Sequence, residues 1–367
     1  MKKLIYATLL CMSLALAGCA QNKQEGEGNM EQAKPTEAAV QNETMEAEVT
    51  PEVVQEAAPA EQESQQIQDS AESADMDIYA QFFPNKENGK ILSGKEFNEL
   101  STKLTKNIKG RLTEITYTFK GTKISMETLI GNRDIQQEAS PVGDEIFQLM
   151  YGDSEYYNYV LYLTEGYDPK DKSKKWPVIY FLHGIGEKGD DLTQLLNYGV
   201  PKYIKDTGSL DAIMIAPQCP GESHWADTDV EEPRLKAFIE ENAKKYNIDT
   251  DRQYLTGLSM GGRGTWKQAL AMPDTFAAIA VVCGRTNTYD FSEITDMPIW
   301  MFHGAVDGVV PFQNVNRIVE ELYKQGHEYF KLTVYPYQDH DAWTPAYSRP
   351  DLYEWLFAQN LKNRQVD

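Results

Sequence analysis

Short, uninterrupted runs of apolar residues in the second half of the chain restrict its fold more than any other feature. The runs are residues 178–182, 212–216, 278–282 and 299–302, with a shorter one at 253–256. Strands buried on both faces have this composition because neither of their sides meets water. Segments with helical spacing separate them; one opens at Pro233 and another closes at Gly326. The alternation predicts an α/β domain over residues 155–367, with a mostly parallel sheet and helices on both faces.

A small β-rich region is expected ahead of this domain, over residues 77–154. Alternating apolar and polar residues, typical of antiparallel strands, occur at 112–119, 124–130, 145–150 and 157–163. The spacing of Phe97, Leu100 and Leu104 predicts a short helix over residues 93–106. No residue pattern in this region indicates chemistry.

Charge divides the chain of 367 residues into unequal parts. The formal charge is −21, and residues 20–75 carry 14 acidic and 2 basic residues but no aromatic one. So few apolar side chains cannot offset the entropy lost on ordering, which predicts a disordered tether over residues 19–76. Nucleic acid is excluded as a partner because phosphate binding takes a basic face. The acidic body also disfavours anionic substrates.

The first residues have the pattern of an export signal. Lys2 and Lys3 precede an apolar run, residues 4–17, that is too short to span a bilayer. The run ends in Leu16-Ala17-Gly18-Cys19, which resembles the lipobox of bacterial lipoproteins. That resemblance implies a signal peptide over residues 1–18, lipid on Cys19, and an extracytoplasmic protein anchored to the cell membrane or the outer membrane. A plain secretory signal is the alternative.

The strongest chemical signal is Gly257-Leu258-Ser259-Met260-Gly261, which follows a predicted strand and precedes a helical segment. This G-x-S-x-G pattern is typical of a serine nucleophile on a sharp strand-to-helix turn. The glycines are needed because a Cβ would clash in so tight a turn. The turn exposes the Ser259 hydroxyl at a helix N-terminus, where backbone N–H groups favour negative charge. The alternative is a glycine-rich turn in which the serine is buried and has no catalytic role.

Two further strand ends supply the partners that such a serine needs. Asp307 lies just after the apolar run 299–302, where a carboxylate can orient a histidine and stabilise its charge. His340 follows a predicted strand near residues 330–335 and would take the proton from the serine. Asp307 could instead cap the next helix, and Asp339 and Asp341 are rivals for its role.

A negative charge developing on a substrate oxygen needs two backbone N–H donors. The sequence suggests Met260, which follows the serine, and Ile185, in a loop where Gly184 and Gly186 allow close backbone approach. His183 stands at the start of this loop. Among the other histidines, His303 is interpreted as structural, His224 as a candidate cleft residue and His327 as exposed.

These residues together resemble the α/β-hydrolase superfamily, and within it bacterial carboxylesterases of the phospholipase/carboxylesterase and feruloyl or acetyl-xylan esterase type. The similar stretches are 181–187, 216–220, 257–266, 302–311 and 340–343. The resemblance implies Ser259, Asp307 and His340 as a catalytic triad, with Ile185 and Met260 as oxyanion-hole donors. It also implies that the substrate-binding residues include Gly184, Gln218, Trp225 and Trp343.

The expected activity is that of a serine carboxylesterase that forms an acyl-enzyme with a small-molecule or carbohydrate ester. Aromatics such as Trp225, Trp343 and Tyr347 are expected to be exposed beside the cleft, where they would suit sugar or aryl (acetyl or feruloyl) esters. A serine peptidase of the same fold and a carbohydrate-binding lipoprotein without catalysis are the alternatives. No cofactor or metal is expected, since no His, Cys or Asp spacing resembles a metal site. Cys219 and Cys283 are free to pair after export, which the sequence leaves open.

Overall fold

The computed structural model describes residues 84–85, 89–92, 95–96, 99–100, 112–130, 149–227 and 229–364. Ten strands of these residues form one mixed sheet. In chain order they are β1 (Leu112–Lys120), β2 (Lys123–Ile130), β3 (Leu149–Gly152), β4 (Tyr159–Tyr162), β5 (Trp176–Leu182), β6 (Ile213–Pro217), β7 (Ile248–Leu258), β8 (Ala278–Val282), β9 (Ile299–Gly304) and β10 (Tyr329–Tyr335). The predicted signal peptide, Cys19 and the tether lie outside the described residues, as does most of the helix predicted over 93–106.

The sheet has a parallel centre and an antiparallel pair at each edge. Its strand order is β2-β1-β10-β9-β8-β7-β5-β6-β4-β3. The six strands from β10 to β6 in this order run parallel, and the outer pairs at both ends run antiparallel. The carboxyl ends of the parallel strands therefore meet at one rim, which is where such sheets gather their chemistry.

Six α-helices of the described residues connect and flank the strands. They are α1 (Gly199–Thr207), α2 (Glu231–Lys245), α3 (Met260–Ala271), α4 (Gln313–Lys324), α5 (Trp343–Tyr347) and α6 (Pro350–Phe357). The second of them begins two residues before Pro233, and the fourth ends just ahead of Gly326, whose φ is 73°. None of the helices in this part of the chain is long and apolar enough to cross a membrane.

Side chains alternate along the central strands and build a hydrophobic layer on each face. Val178, Tyr180 and Leu182 of β5 belong to a buried cluster shared with α2, α3 and α4. Ile179 and Phe181 belong to a second cluster shared with α1, α5 and α6. Helices therefore cover both faces, and the predicted α/β architecture with a mostly parallel sheet is confirmed.

The antiparallel strands expected in the N-terminal region do not form a sheet of their own. β1 pairs with β10, with Ile115 opposite Val334, and β3 pairs with β4. These strands extend the main sheet at its two edges. The division of the chain at residue 154 falls between two hydrogen-bonded strands, so a separate domain over 77–154 stays a prediction that this pairing disfavours.

A buried ion pair fastens β1 to the C-terminal part of the chain. Arg349 is 2% exposed and directly precedes α6. Its Nη1 donates to Oε1 of Glu114 on β1 at 3.0 Å. Its Nε and Nη2 donate to the carboxylate of Asp351 at 2.8 and 2.7 Å. The guanidinium also lies 4.7 Å from the centre of the Trp300 ring, so β1 is tied to the start of α6 and to β9.

Candidate active site

Ser259 stands at the turn between β7 and α3 in a backbone conformation that few residues other than glycine adopt. Its φ is 52° and its ψ is −110°. A Cβ on Gly261 would lie 1.9 Å from the carbonyl oxygen of Leu182, and a Cβ on Gly257 would lie 2.5 Å from the carbonyl carbon of Gly261. Backbone contact therefore requires both glycines. The surrounding structure holds the strained turn and presents the serine at the rim of the sheet.

His340 and Asp307 continue from this serine as an unbroken chain of hydrogen bonds. Ser259 Oγ is 2.8 Å from His340 Nε2, and His340 Nδ1 is 2.8 Å from Asp307 Oδ2. The three side chains come from the loops after β7, β10 and β9, whose carboxyl ends share the rim. Of the two rival acids, Asp341 accepts hydrogen bonds from the backbone and side chain of Thr344 instead.

The Asp307 carboxylate is enclosed by donors. Its side chain is fully buried, and Oδ1 accepts the backbone N–H groups of Val309 and Val310 at 2.8 Å each. Burial opposes ionisation, but the hydrogen bonds from His340 and from Val310 outweigh it and hold the pKa of Asp307 below its usual value. The carboxylate is therefore ionised and oriented toward the histidine.

A second histidine, which the sequence suggested was only structural, touches the same carboxylate. His303 Nε2 lies 2.8 Å from the carbonyl oxygen of Val310 and 3.3 Å from Asp307 Oδ2. A carbonyl can only accept, so this nitrogen carries a proton. Burial lowers the pKa of the ring, which keeps it neutral. The sequence did contain one indication of this contact, since His303 lies at the end of a buried strand, four residues before Asp307.

The two residues predicted as oxyanion-hole donors each begin a helical segment. Met260 is the first residue of α3, and Ile185 is the first residue of a 3-10 turn over 185–187. The N–H of a first helical residue has no acceptor within its own helix. A Cβ on Gly184 would lie 2.8 Å from Leu258 Cδ1, whereas one on Gly186 would meet nothing within 4 Å. A side chain at position 184 would therefore crowd Leu258, whereas position 186 has open space.

His183 braces this loop from within the core. Its Nε2 accepts the N–H of Cys219 at 2.9 Å, so the ring proton is on Nδ1, which donates to the carbonyl oxygen of Gly184 at 2.6 Å. Burial lowers the pKa of His183 to about 4 and keeps the ring neutral. The ring thus joins the loop after β5 to the loop after β6.

Two residues predicted to contact substrate lie behind this loop instead. Trp225 has no exposed surface and donates through Nε1 to the carbonyl oxygen of His183 at 3.1 Å. Gln218 is 3% exposed and donates through Nε2 to the carbonyl oxygens of Glu187 and Asp191 at 2.8 and 2.9 Å. The interpretation of Trp225 as an exposed cleft residue is therefore wrong, and Gln218 can act only through the loop that it holds.

An aromatic pair stands beside His340. The Trp343 ring meets the imidazole edge to face, with centroids 5.4 Å apart, and Tyr198 meets Trp343 in the same manner at 5.9 Å. Tyr198 is 39% exposed and was missed in the sequence, where it follows a polar loop without any motif. Tyr347 is buried and bonds to Thr256, so the expectation that it is exposed is wrong.

The remaining polar candidates do not form a further centre. Cys219 and Cys283 are both free and buried, so the pairing that the sequence left open is not made. His327 was expected to be exposed but is 1% exposed, because it packs edge-on against Phe330 between α4 and β10. Among the described residues, no three His, Cys, Asp or Glu side chains are arranged to hold a metal ion.

Comparison with known proteins shows that this chain is similar to ester hydrolases. Residues 207–350 match the Dienelactone hydrolase family. A bifunctional acetylxylan esterase/xylanase of Neocallimastix patriciarum is 28% identical over 164 residues, which cover 44% of this chain and 24% of that protein. A probable feruloyl esterase C of Aspergillus terreus is 31% identical over 155 residues, which cover 42% and 56%.

A poly(3-hydroxyoctanoate) depolymerase of Pseudomonas fluorescens is 26% identical over 43% of this chain and 66% of its own length. The chain thus spans from about a quarter to two thirds of the curated relatives that it matches. A crystal structure of a thermostable esterase is 33% identical, with a TM-score of 0.48 and coverage of 57% of this chain and 62% of that one. The chain is therefore similar to α/β-hydrolases in its six parallel strands, in the strained serine turn after β7 and in the match over residues 207–350.

Proposed function

We propose that the protein is a serine esterase that hydrolyses carboxylic esters through Ser259, His340 and Asp307. One observation carries the proposal: two consecutive contacts of 2.8 Å join Ser259 Oγ, the two ring nitrogens of His340 and Asp307. A serine hydroxyl is a weak nucleophile unless a base takes its proton. His340 can accept that proton at Nε2 when its other proton is on Nδ1, and the Asp307 carboxylate keeps it there.

The reaction proceeds in two halves. Ser259 Oγ attacks the ester carbonyl carbon while His340 Nε2 takes the hydroxyl proton, which gives a tetrahedral oxyanion. The alcohol then leaves with that proton, and the acyl group remains on the serine. Water attacks the acyl-enzyme with the same nitrogen as base, and the acid product leaves as the serine is restored. The ionised Asp307 stabilises the imidazolium in both halves.

The oxyanion is assigned to the backbone N–H groups of Met260 and Ile185. Both begin helical segments, so both N–H groups lack an intrahelical acceptor. They follow Ser259 and Gly184 respectively, at the ends of neighbouring strands β7 and β5. Preorganised donors of this kind contribute about 3–4 kcal/mol of transition-state stabilisation each in serine hydrolases.

Small-molecule or carbohydrate esters are the proposed substrates, with sugar and aryl esters preferred. The matched relatives include an acetylxylan esterase and a probable feruloyl esterase. Trp343 and Tyr198 provide aromatic surface next to His340, and aromatic rings pack well against planar aryl groups. Gly184 lies after β5, on the loop that carries the proposed donor Ile185.

Covalent labelling tests the nucleophile directly. A fluorophosphonate probe should label the full chain, and the Ser259→Ala variant should not react. Ser173→Ala is a matched control, because Ser173 is exposed and bonds only to Asp171 within the described residues. A panel of acetyl, butyryl, feruloyl and long-chain esters beside a peptide amide should show hydrolysis of the short or aryl esters. An unlabelled wild type, or a preference for the amide, would exclude the proposal.

Membrane attachment through lipid on Cys19 is a separate proposal, supported by the sequence Leu16-Ala17-Gly18-Cys19. Two or more acyl chains on one residue give stable anchoring, where a single chain is marginal. Expression of the full chain in a bacterium with an alkyne-labelled fatty acid should tag the protein and place it in the membrane fraction. Cys19→Ala should lose the tag. A tag retained in that variant would overturn the assignment.

A further inference from the structure

Three basic side chains lie beside the serine turn without any counter-ion. They are Lys188, Arg263 and Arg285, and His224 stands among them. Across the described part of the chain, none of the three basic side chains forms an ion pair or a hydrogen bond with another residue. Arg263 and Lys188 are half-buried and Arg285 is exposed. Such a group is unexpected in a chain whose formal charge is −21.

Contacts of two glycines place Arg263 close to Arg285 and to His224. A Cβ on Gly284 would lie 2.5 Å from the carbonyl carbon of Gly262, so the backbones that lead into Arg285 and Arg263 touch. A Cβ on Gly264 would lie 2.4 Å from Trp225 Cβ. His224 precedes that tryptophan, and Arg263 precedes that glycine, so the histidine and the arginine are neighbours as well.

Both arginines are attached to backbone that lies close to Ser259, the proposed nucleophile. The N–H of Arg263 donates to the carbonyl oxygen of Ser259 at 3.0 Å, which places the arginine one helical turn after the serine. The N–H of Ser259 donates to the carbonyl oxygen of Val282 at 3.0 Å, three residues before Arg285. The two side chains therefore start from the same rim as the serine.

The pKa of His224 depends on the charged side chains around it. Its Nδ1 accepts the N–H of Ala226 at 3.2 Å, so the neutral ring carries its proton on Nε2. Burial, followed by the charges of Arg263, Lys188 and Arg285, lowers the pKa of His224, and Asp227 opposes them only in part. Three of the four charged groups that act on this ring are positive, although the whole chain is negative.

Two acids close to this group, Asp227 and Glu187, do not pair with its basic side chains. Asp227 is exposed, where solvent screens its charge. Burial raises the pKa of the Glu187 carboxyl. Neither forms an ion pair with one of the three basic side chains.

We propose that Arg263 and Arg285 bind a carboxylate carried by the ester substrate close to its scissile bond. This inference rests on the proposed esterase function. Guanidinium groups bind carboxylates with paired, charge-assisted hydrogen bonds. The negative charge of the chain as a whole disfavours anions at other surfaces, which favours their binding at this positive patch. The net charge that disfavoured anionic substrates therefore does not decide the local preference.

Matched ester pairs test the subsite. 4-Nitrophenyl butyrate and 4-nitrophenyl hemisuccinate differ by a carboxylate on the acyl side, and phenyl acetate and 3-carboxyphenyl acetate differ by one on the alcohol side. The measured quantity is the ratio of kcat/KM for the anionic and the neutral ester of each pair. Comparing this ratio between enzymes cancels the intrinsic reactivity of the two esters.

The Arg263→Gln/Arg285→Gln variant should lower that ratio about tenfold in one of the pairs, which is the effect of removing charges about 5 Å from the carboxylate in a partly hydrated site. The side of the ester that responds identifies where the carboxylate binds. About 0.5 M salt should also reduce the wild-type ratio. Lys236→Gln is the control, since Lys236 is an exposed cation beside Asp251 and Thr275 at the far end of the sheet.

The experiment distinguishes failure of the esterase function from failure of the carboxylate subsite. If wild type hydrolyses none of the four esters, the esterase function itself is wrong. If it hydrolyses the neutral esters but the double variant leaves both ratios within about twofold of wild type, the carboxylate subsite is overturned and the esterase stands. Unchanged kcat/KM on the neutral esters shows that the double variant is folded.

Discussion

Replacing Gly261 by alanine should disable the serine turn without touching any of the three hydrogen-bonded side chains. The added Cβ would lie 1.9 Å from the carbonyl oxygen of Leu182, 2.5 Å from its carbonyl carbon and 2.7 Å from the carbonyl oxygen of His183. These are backbone atoms, so no side-chain rotation relieves the overlap. Either α3 or the end of β5 must move by about 1 Å to restore ordinary contact.

That displacement has two measurable consequences. Overpacking of a well-packed region costs about 1–3 kcal/mol of unfolding free energy, and a rigid backbone contact lies at the upper end. The end of β5 leads into the loop of Ile185, while α3 carries the N–H of Met260, so a shift separates the proposed oxyanion donors from Ser259. A misplacement of about 1 Å costs about 100-fold in rate, or about 2.7 kcal/mol of activation free energy.

Hydrolysis of 4-nitrophenyl acetate, together with urea unfolding, measures both effects. Gly221→Ala is the matched control, because a Cβ there meets nothing within 4 Å and should change kcat/KM and stability by very little. If Gly261→Ala retains kcat/KM within about threefold of wild type, the argument that backbone contact at this glycine positions the site is refuted.

Three further predictions concern buried polar groups. Arg349→Met should lower the unfolding free energy by about 3–5 kcal/mol, because it removes the cation that faces the buried carboxylate of Glu114, and adding Glu114→Gln should recover part of the loss in urea unfolding. His303→Met should lower kcat/KM about tenfold, since Asp307 loses a neighbouring N–H, whereas His303→Gln keeps a donor and should lose less; equal losses would contradict the role. Burial lowers the pKa of His183 to about 4 from 6.5, so the unfolded chain alone binds this proton within that window. Stability should therefore fall by up to about 3 kcal/mol as the pH drops through it, and His183→Gln should flatten the dependence.

The sheet could be predicted because its signal is local. Five apolar runs coincide with β5 to β9, and the last of the parallel strands lies where the sequence indicated. The G-x-S-x-G turn was predictable for the same reason, since a Cβ at either glycine would strike backbone a few residues away or on the adjoining strand. The antiparallel strands β1 and β3 were also predicted, but their membership in the main sheet was not, because pairing between distant strands leaves no mark on either one alone.

Side-chain surroundings were the part that sequence could not supply. Gln218 and Trp225 both come after β6, at the rim where the loop after β5 also lies. Only their packing reveals that both lie behind that loop and support it. Arg263 and Arg285 belong to separate loops, and their proximity depends on contact between two glycines that are 22 positions apart in the chain.

The sequence by itself determined which segments are strands and helices, and which residue types stand at the strand ends. Periodicity and tight-turn sterics act over a few residues, so they can be recognised without knowing the rest of the molecule. Only the tertiary structure decided which strand ends become neighbours, that His303 and His340 reach the same carboxylate, and where unneutralised charge collects. Burial, hydrogen-bond geometry and electrostatic fields depend on distances in space, and the order of residues along the chain does not contain those distances.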